Sequence, residues 1–183
     1  MWGAFAQNFI KRYNHLKKMS ITGPEVVKVR IEIGKGSVVK YEWSEAHQCL
    51  VVDRMLHGSE HYRFNYGEIL GTMGGDGDAL DAVVLTEPKL DPPCILDCRV
   101  VGMLKTLDEK GRDEKIILVP VKDPDMAYAL DISDISKGTL DKIEGFFKNY
   151  KALEDGKFVE VEGFEGREAA VALIKASSLP KTS

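Results

Sequence analysis

Apolar and polar residues alternate through the first two thirds of the chain. In EVVKVRIEI (25–33), Val27, Val29, Ile31 and Ile33 interleave with Lys28, Arg30 and Glu32, the two-residue period of a half-buried strand. Gly34 and Gly36 punctuate the pattern. It resumes in VVKYEW (38–43) and, after a polar turn at 44–48, in LVVDRM (50–55). Further strands are predicted over 81–85, 95–104 and 115–121. Pro88, Pro92 and Pro93 mark a loop before residue 95, and KTLDEKGRDEK (105–115) reads as a charged, hairpin-like turn centred on Lys110-Gly111.

The period changes near the end of the chain. From Thr139, read as an N-cap, Leu140, Ile143, Phe147 and Tyr150 recur at helical spacing, and REAAVALIKAS after Gly166 predicts a second helix. Many short strands followed by terminal helices predict a mainly β fold, a small barrel with helical packing, rather than a doubly wound α/β sheet. Without repeats, low-complexity tracts or a linker, residues 20–183 read as a single domain.

The first nineteen residues, MWGAFAQNFIKRYNHLKKM, have a different character. Trp2, Phe5, Phe9, Ile10, Tyr13 and Leu16 recur at helical spacing, Lys11, His15 and Lys18 fall largely opposite, and no acidic residue precedes Glu25. Residues 1–19 are therefore expected to form a basic amphipathic extension packed on the body, or to lie upstream of a natural start at Met19. The alternative is a targeting or membrane-surface helix, which would change the expected location from cytoplasmic to organellar. No apolar run approaches the ~20 residues of a membrane span.

Composition narrows the ligand class. A formal net charge of −4 lacks the basic excess of a nucleic-acid-binding protein, so any anionic ligand must be met by local cations. Cys94 and Cys98, on one strand, would stand about 13 Å apart, too far to bridge. No paired His or second Cys pair accompanies them, which argues against zinc, and the thiols are read as buried and reduced in an intracellular protein.

The stretch MGGDGDALDAVVL (73–85) does not read as ordinary packing. Asp76, Asp78 and Asp81 crowd three carboxylates before an apolar strand, and at about 4–6 Å each such pair costs about 1–4 kcal/mol. A solvated turn rich in Asp and Gly is one reading; three carboxylates in six residues favour a metal site instead, where a hard divalent ion would offset the repulsion and all-oxygen ligands suit Mg²⁺, Mn²⁺ or Ca²⁺. An EF-hand is excluded, because Leu80 and Asp81 stand where a ligand and glycine are needed. Asp108 and Asp113, with Glu109 and Glu114 beside them, flank the 105–115 turn and gain weight if they face the first cluster. Lys40 and Glu42 share one strand face, Arg54 follows an apolar run, Tyr62 and Tyr66 bracket Asn65, and Tyr150-Lys151 ends the first helix. A hard-metal cluster with Lys, Arg and Tyr donors matches a small, highly charged phosphate ligand.

These motifs resemble those of the soluble family I inorganic pyrophosphatases. DGDALD matches the family's Asp-x-Asp-x-x-Asp signature. IEI (31–33), KYE (40–42), VDR (52–54), the Tyr/Asn/Tyr motif (62–67), D-x-x-x-x-D-x-K (108–115) and YK (150–151) follow in the family's order, over about residues 24–175. The resemblance implies an OB-like five-stranded β-barrel with terminal α-helices, and hydrolysis of pyrophosphate to two orthophosphates with several Mg²⁺ ions, Mn²⁺ being a substitute. Attack would come directly from a water shared between metals.

On that resemblance, Asp76, Asp81 and Asp113 look like ligands of the tight metal, with Asp108 and Asp113 serving further metals and Glu32 acting on their shell through water. Asp78 looks like the carboxylate that accepts the water's proton. Lys40, Arg54, Lys115, Tyr150 and Lys151 look like phosphate grips, Tyr66 a donor in the site, and Glu42 and Tyr62 further site residues. A homo-oligomer is implied, the hexamer of bacterial members or else a dimer. Ala79 and Arg63 stand where the family often has proline, and Gly145 and Asn149 where bacterial members can carry interface histidines. Two other classes are weighed: a phosphatase with an aspartyl-phosphate intermediate, which would want its Asp-x-Asp early in an α/β sheet, and an oligonucleotide-binding barrel, which the charge opposes.

Overall fold

The opening alternation forms strand β1 (Val26–Ile33) in a computed structural model that describes residues 25–180. The amphipathic pattern at 1–19 lies outside the described residues. There follow β2 (Val39–Ser44), β3 (Cys49–Met55), β4 (Asn65–Ile69), β5 (Asp81–Val84), β6 (Cys94–Asp108), β7 (Gly111–Arg112) and β8 (Lys115–Pro120). A 3₁₀ turn (Ile132–Asp134) leads to helix α1 (Lys137–Asn149), then β9 (Val159–Gly166) and helix α2 (Arg167–Ala176).

Pairing closes a circuit: β1 to β4, β4 to β5, β5 to β8, β8 to β6, and β6 back to β1. Only β5 and β8 run parallel within it. This is the expected five-stranded barrel. β9 adds to the wall beside β6, whereas β2 and β3 form a separate two-stranded sheet.

The wall has two packed faces. Val29, Ile31, Ala82, Val84, Ile116 and Leu118 join Ala170 and Ile174 of α2 in one cluster. Their sequence neighbours Val83, Ile117 and Val119 face the other way, into an aromatic cluster with Ile143, Phe146 and Phe147 of α1. A strand buried on both faces reads as a continuous apolar run, as 82–85 and 116–119 do. β1 changes face within its own length. Ile31 lies opposite Gly67 and Ile33 opposite Tyr66, so a bulge at Glu32 inserts one residue and sends Ile31 and Ile33 to different clusters. Gly67 is required there, since a Cβ on it would lie 1.8 Å from the Arg30 carbonyl oxygen.

The structure corrects several expectations. β4 and β9 were not read as strands, and β6 runs to Asp108 rather than 104. β4 carries the glycine and buried polar Asn65 of NYGEI and shows no strong apolar period, whereas β9 alternates only over VEVE (159–162) before Gly163 and Phe164 break the pattern. The N-cap of α1 is Ser136, whose hydroxyl accepts from the Thr139 N–H at 3.2 Å; Thr139 is in the first turn. Cys94 and Cys98 do share β6, but only Cys98 is buried, and Cys49 is exposed because it lies on the outlying sheet.

Candidate active site

The strand registers assemble a charged floor. Asp81, the first residue of β5, stands beside Lys115 in the parallel pairing and beside Glu68 in the antiparallel one. Lys115, 2% exposed, donates to the Asp81 carboxylate and lies 2.5 Å from Asp113 Oδ2. Burial disfavours charge on Asp81, but Lys115 and donated bonds from Lys115 and Tyr66 outweigh it and hold this carboxyl below the usual range. At Asp113 burial prevails: despite Lys115, and with Asp81 repelling it, its pKa is pushed up to about 6.

Three walls rise from this floor. One is the exposed loop carrying Asp76 and Asp78, shaped by Gly77 at φ +91° and by the Asp78 N–H donating to Asp76 Oδ1 at 3.1 Å. The second is the β6–β7 turn. There Asp108 accepts from the Lys110 N–H at 2.8 Å and from the Lys151 ammonium at 2.8 Å, while Lys157 reaches Glu109 at 2.8 Å. Burial of Glu109 is outweighed by Lys157 and Lys151, which draw its carboxyl down to about 2.

The third wall is the β2–β3 sheet. Lys40 meets Glu42 at 2.5 Å and Asp53 at 3.4 Å, as expected for positions 40 and 42 on one face. Arg54 bonds Asp53 and, at 2.9 Å, Glu154. This sheet is fastened to the barrel by Trp43. Its ring stacks 4.1 Å from the Arg30 guanidinium and its backbone N–H donates to Glu32 at 2.7 Å. Burial, with repulsion from Glu68, Asp81 and Glu42, pushes Glu32 up to about 7 against that bond.

Tyr62, Tyr66 and Tyr150 point phenols from the aromatic cluster toward the same space. Burial raises all three above the ordinary tyrosine value, so they serve as neutral donors. Tyr150 caps α1, its N–H bonded to the Phe146 carbonyl at 2.9 Å and its ring stacked on Phe146 at 5.1 Å.

Glu32, Lys40, Glu42, Arg54, Tyr62, Tyr66, Asp76, Asp78, Asp81, Asp108, Asp113, Lys115, Tyr150 and Lys151 all line one cavity of about 430 Å³. The two acidic groups therefore do face each other. Asp53, Glu68, Glu109, Arg112, Glu114 and Lys157 line it as well. The sequence places Glu109 and Glu114 beside the second acidic pair and Asp53 within VDR but assigns none of the six a role, because a charge in a turn or on a strand edge looks like a solvated one. Asn65, between the two tyrosines, is a buried pin: its side chain accepts from Lys35 and Leu90 N–H groups at 3.0 and 2.8 Å and donates to the Pro88 carbonyl at 3.1 Å.

The donor chemistry fits hard divalent ions: carboxylate oxygens crowd the cavity, and the Asp113 carboxyl, raised first by burial and then by the Asp81 charge, is one that a cation would stabilise in its ionised form. Among the described residues, no three such groups already converge closely enough to enclose an ion, and the Lys115 ammonium occupies the gap between Asp81 and Asp113.

Comparison with known proteins agrees with this chemistry. A family model described as inorganic pyrophosphatase matches residues 29–179. An inorganic pyrophosphatase of Helicobacter pylori is 45% identical over 149 residues, 80% of this chain and 86% of that protein. One from Nanoarchaeum equitans is 48% identical over 147 residues, covering 79% and 91%. The solved Helicobacter pylori enzyme superposes with a TM-score of 0.83 at 42% identity, covering 87% of this chain and 96% of that one. The Thermus thermophilus structure gives 0.83 at 40%, covering 86% and 92%.

Proposed function

The chain belongs to the inorganic pyrophosphatase family, and on that premise we propose that it hydrolyses pyrophosphate to two orthophosphates in a Mg²⁺-dependent reaction at this cavity. The observation that carries the reading is the convergence, on one polar cavity, of Asp76, Asp78, Asp81, Asp108 and Asp113 with Lys40, Arg54, Lys115 and Lys151. Asp76, Asp81, Asp108 and Asp113 would hold the ions, with Glu32 behind them and Mn²⁺ as a substitute. Bound divalent ions supply charge neutralisation and bring the pKa of water toward neutrality.

The chain's own groups do the rest. Asp78, on the exposed loop and free of any lysine partner among the described residues, accepts the proton of the attacking water. As the water oxygen bonds to one phosphorus, the bridging P–O bond breaks and its electron pair leaves with the second phosphate. Lys40, Arg54, Lys115 and Lys151 stabilise the charge growing on that leaving group, and the Tyr66 and Tyr150 phenols donate without carrying charge themselves. Glu42 and Tyr62 hold Lys40 and the aromatic wall in place.

Residues 20–183 are read as one such domain, cytoplasmic and homo-oligomeric, with no nucleic-acid partner. The net charge of −4 and the acidic cavity support the last point. No helix among the described residues is long and apolar enough to cross a membrane.

The test is phosphate release from pyrophosphate with and without millimolar Mg²⁺, with ATP in parallel. Fast, Mg²⁺-dependent release from pyrophosphate is expected. Asp78→Asn should lower turnover by about 10²–10⁴-fold while sparing metal affinity more than Asp81→Asn does; near-normal turnover would remove Asp78 from its role.

A further inference from the structure

The turn after α1 spans the cavity from one wall to another. On one side Lys151 reaches Asp108 at 2.8 Å and Lys157 reaches Glu109 at 2.8 Å. On the other, Glu154 Oε1 accepts from Arg54 Nε at 2.9 Å, joining residues 100 positions apart. The Glu154 side chain is only 8% exposed, yet it does not line the cavity. Its backbone is set by the turn itself: its N–H donates to the Lys151 carbonyl at 2.9 Å, and its carbonyl accepts from the Lys157 N–H at 3.2 Å.

Arg54 needs such a partner. It stands on β3, in the sheet outside the barrel, where most neighbouring residues are exposed or half-buried. A long side chain on an outlying strand keeps many rotamers unless something holds it. Asp53 takes Nη1, but it is the adjacent residue and moves with the strand. Glu154 takes Nε from a different element, the one that presents Tyr150 and Lys151. Nε and Nη1 are thereby engaged, and Nη2 is left for a ligand oxygen.

We propose that Glu154 is a positioning residue for the phosphate-binding arginine. It fixes the Arg54 guanidinium and ties the β2–β3 sheet to the turn carrying Lys151, so that both cationic walls keep one spacing. The inference rests on the pyrophosphatase reading of the cavity. A charge-assisted bond of this kind fixes direction as well as distance, and small misplacements of a binding group cost large factors in rate.

The experiment is a double-mutant cycle on pyrophosphate hydrolysis with Glu154→Ala and Arg54→Ala, with Glu154→Gln as the milder variant. Alone, Glu154→Ala should lower kcat/KM by about 10- to 100-fold, mainly through KM, and Glu154→Gln by less. In the Arg54→Ala background the same change should cost less than about twofold, because the group it positions is gone. The Arg54 Nε–H resonance, sharp in the wild type, should be lost in Glu154→Ala. Equal losses in both backgrounds would mean that Glu154 supports only the fold of the turn, and would overturn the proposal. So would an unaffected kcat/KM in Glu154→Ala. A folded wild-type protein that does not hydrolyse pyrophosphate would overturn the reading beneath it, whatever the resonance shows.

Discussion

Lys115 is a cation with almost no water around it, held between two carboxylates that on the proposed reading also hold metal. Breaking a buried ion pair from one side leaves uncompensated charge, which typically costs about 3–5 kcal/mol. Lys115→Met should therefore destabilise the metal-free protein toward the lower end of that range, since Asp81 and Asp113 keep partial contact with solvent. The same change removes the cation that competes for the gap, so divalent ions should bind Lys115→Met more tightly and restore much of the loss. Urea unfolding in chelator and in millimolar Mg²⁺, with Mn²⁺ titration calorimetry, measures both; unchanged stability in chelator would contradict this account. At this scale the sequence showed which groups were present but not their partners. Lys115 was legible as a phosphate grip, while its bonds to Asp81 and Asp113 depend on the register of two strands 34 residues apart.

Among the elements, β1 shows how one inserted residue places a group that lines the cavity. Strict alternation would put Glu32 on the face opposite both Ile31 and Ile33. The bulge instead buries all three and turns the carboxylate toward Trp43 and the cavity. Its geometry brings β4 so close that Gly67 has no room for a side chain. Gly67→Ala must push the Arg30 backbone away, and an expected loss of more than about 3 kcal/mol should appear as a large drop in thermal midpoint. A midpoint within a few degrees of wild type would show that the β1–β4 pairing yields more easily than its packing implies. The IEI and NYG motifs were visible in the sequence. Their contact was not, because β4 has too few apolar positions to announce itself as a strand.

For the molecule as a whole, pH in the absence of metal reports the crowding of acids in the cavity. Glu32 at about 7 and Asp113 at about 6 bind protons more tightly in the folded than in the unfolded state. Where the native state holds more protons, stability falls as pH rises, here between the ordinary carboxylate values and about 7. Carboxyls held low, such as Glu109 at about 2, contribute the opposite slope in more acidic solution, where they lose stability as pH falls. Glu32→Gln isolates the first effect: relative to wild type in chelator, it should gain stability steadily as pH rises from about 4.5 to about 7. A difference that is flat across this window would contradict a raised Glu32. The variant with Gln should also lose part of the stabilisation that Mg²⁺ gives the wild type at neutral pH.

The sequence by itself determined the class of fold and the class of ligand. Strand periods, the late helical spacing and an aspartate cluster without a basic excess are local or compositional properties, and each survives without coordinates. What only the tertiary structure decided was adjacency: that 76–81 and 108–113 share a cavity, that β2–β3 stands outside the barrel, and that the distant Glu154 joins the adjacent Asp53 in holding Arg54. Adjacency depends on strand register and closure, which are set by the packing of both faces of the wall at once, and no window of the chain contains that information.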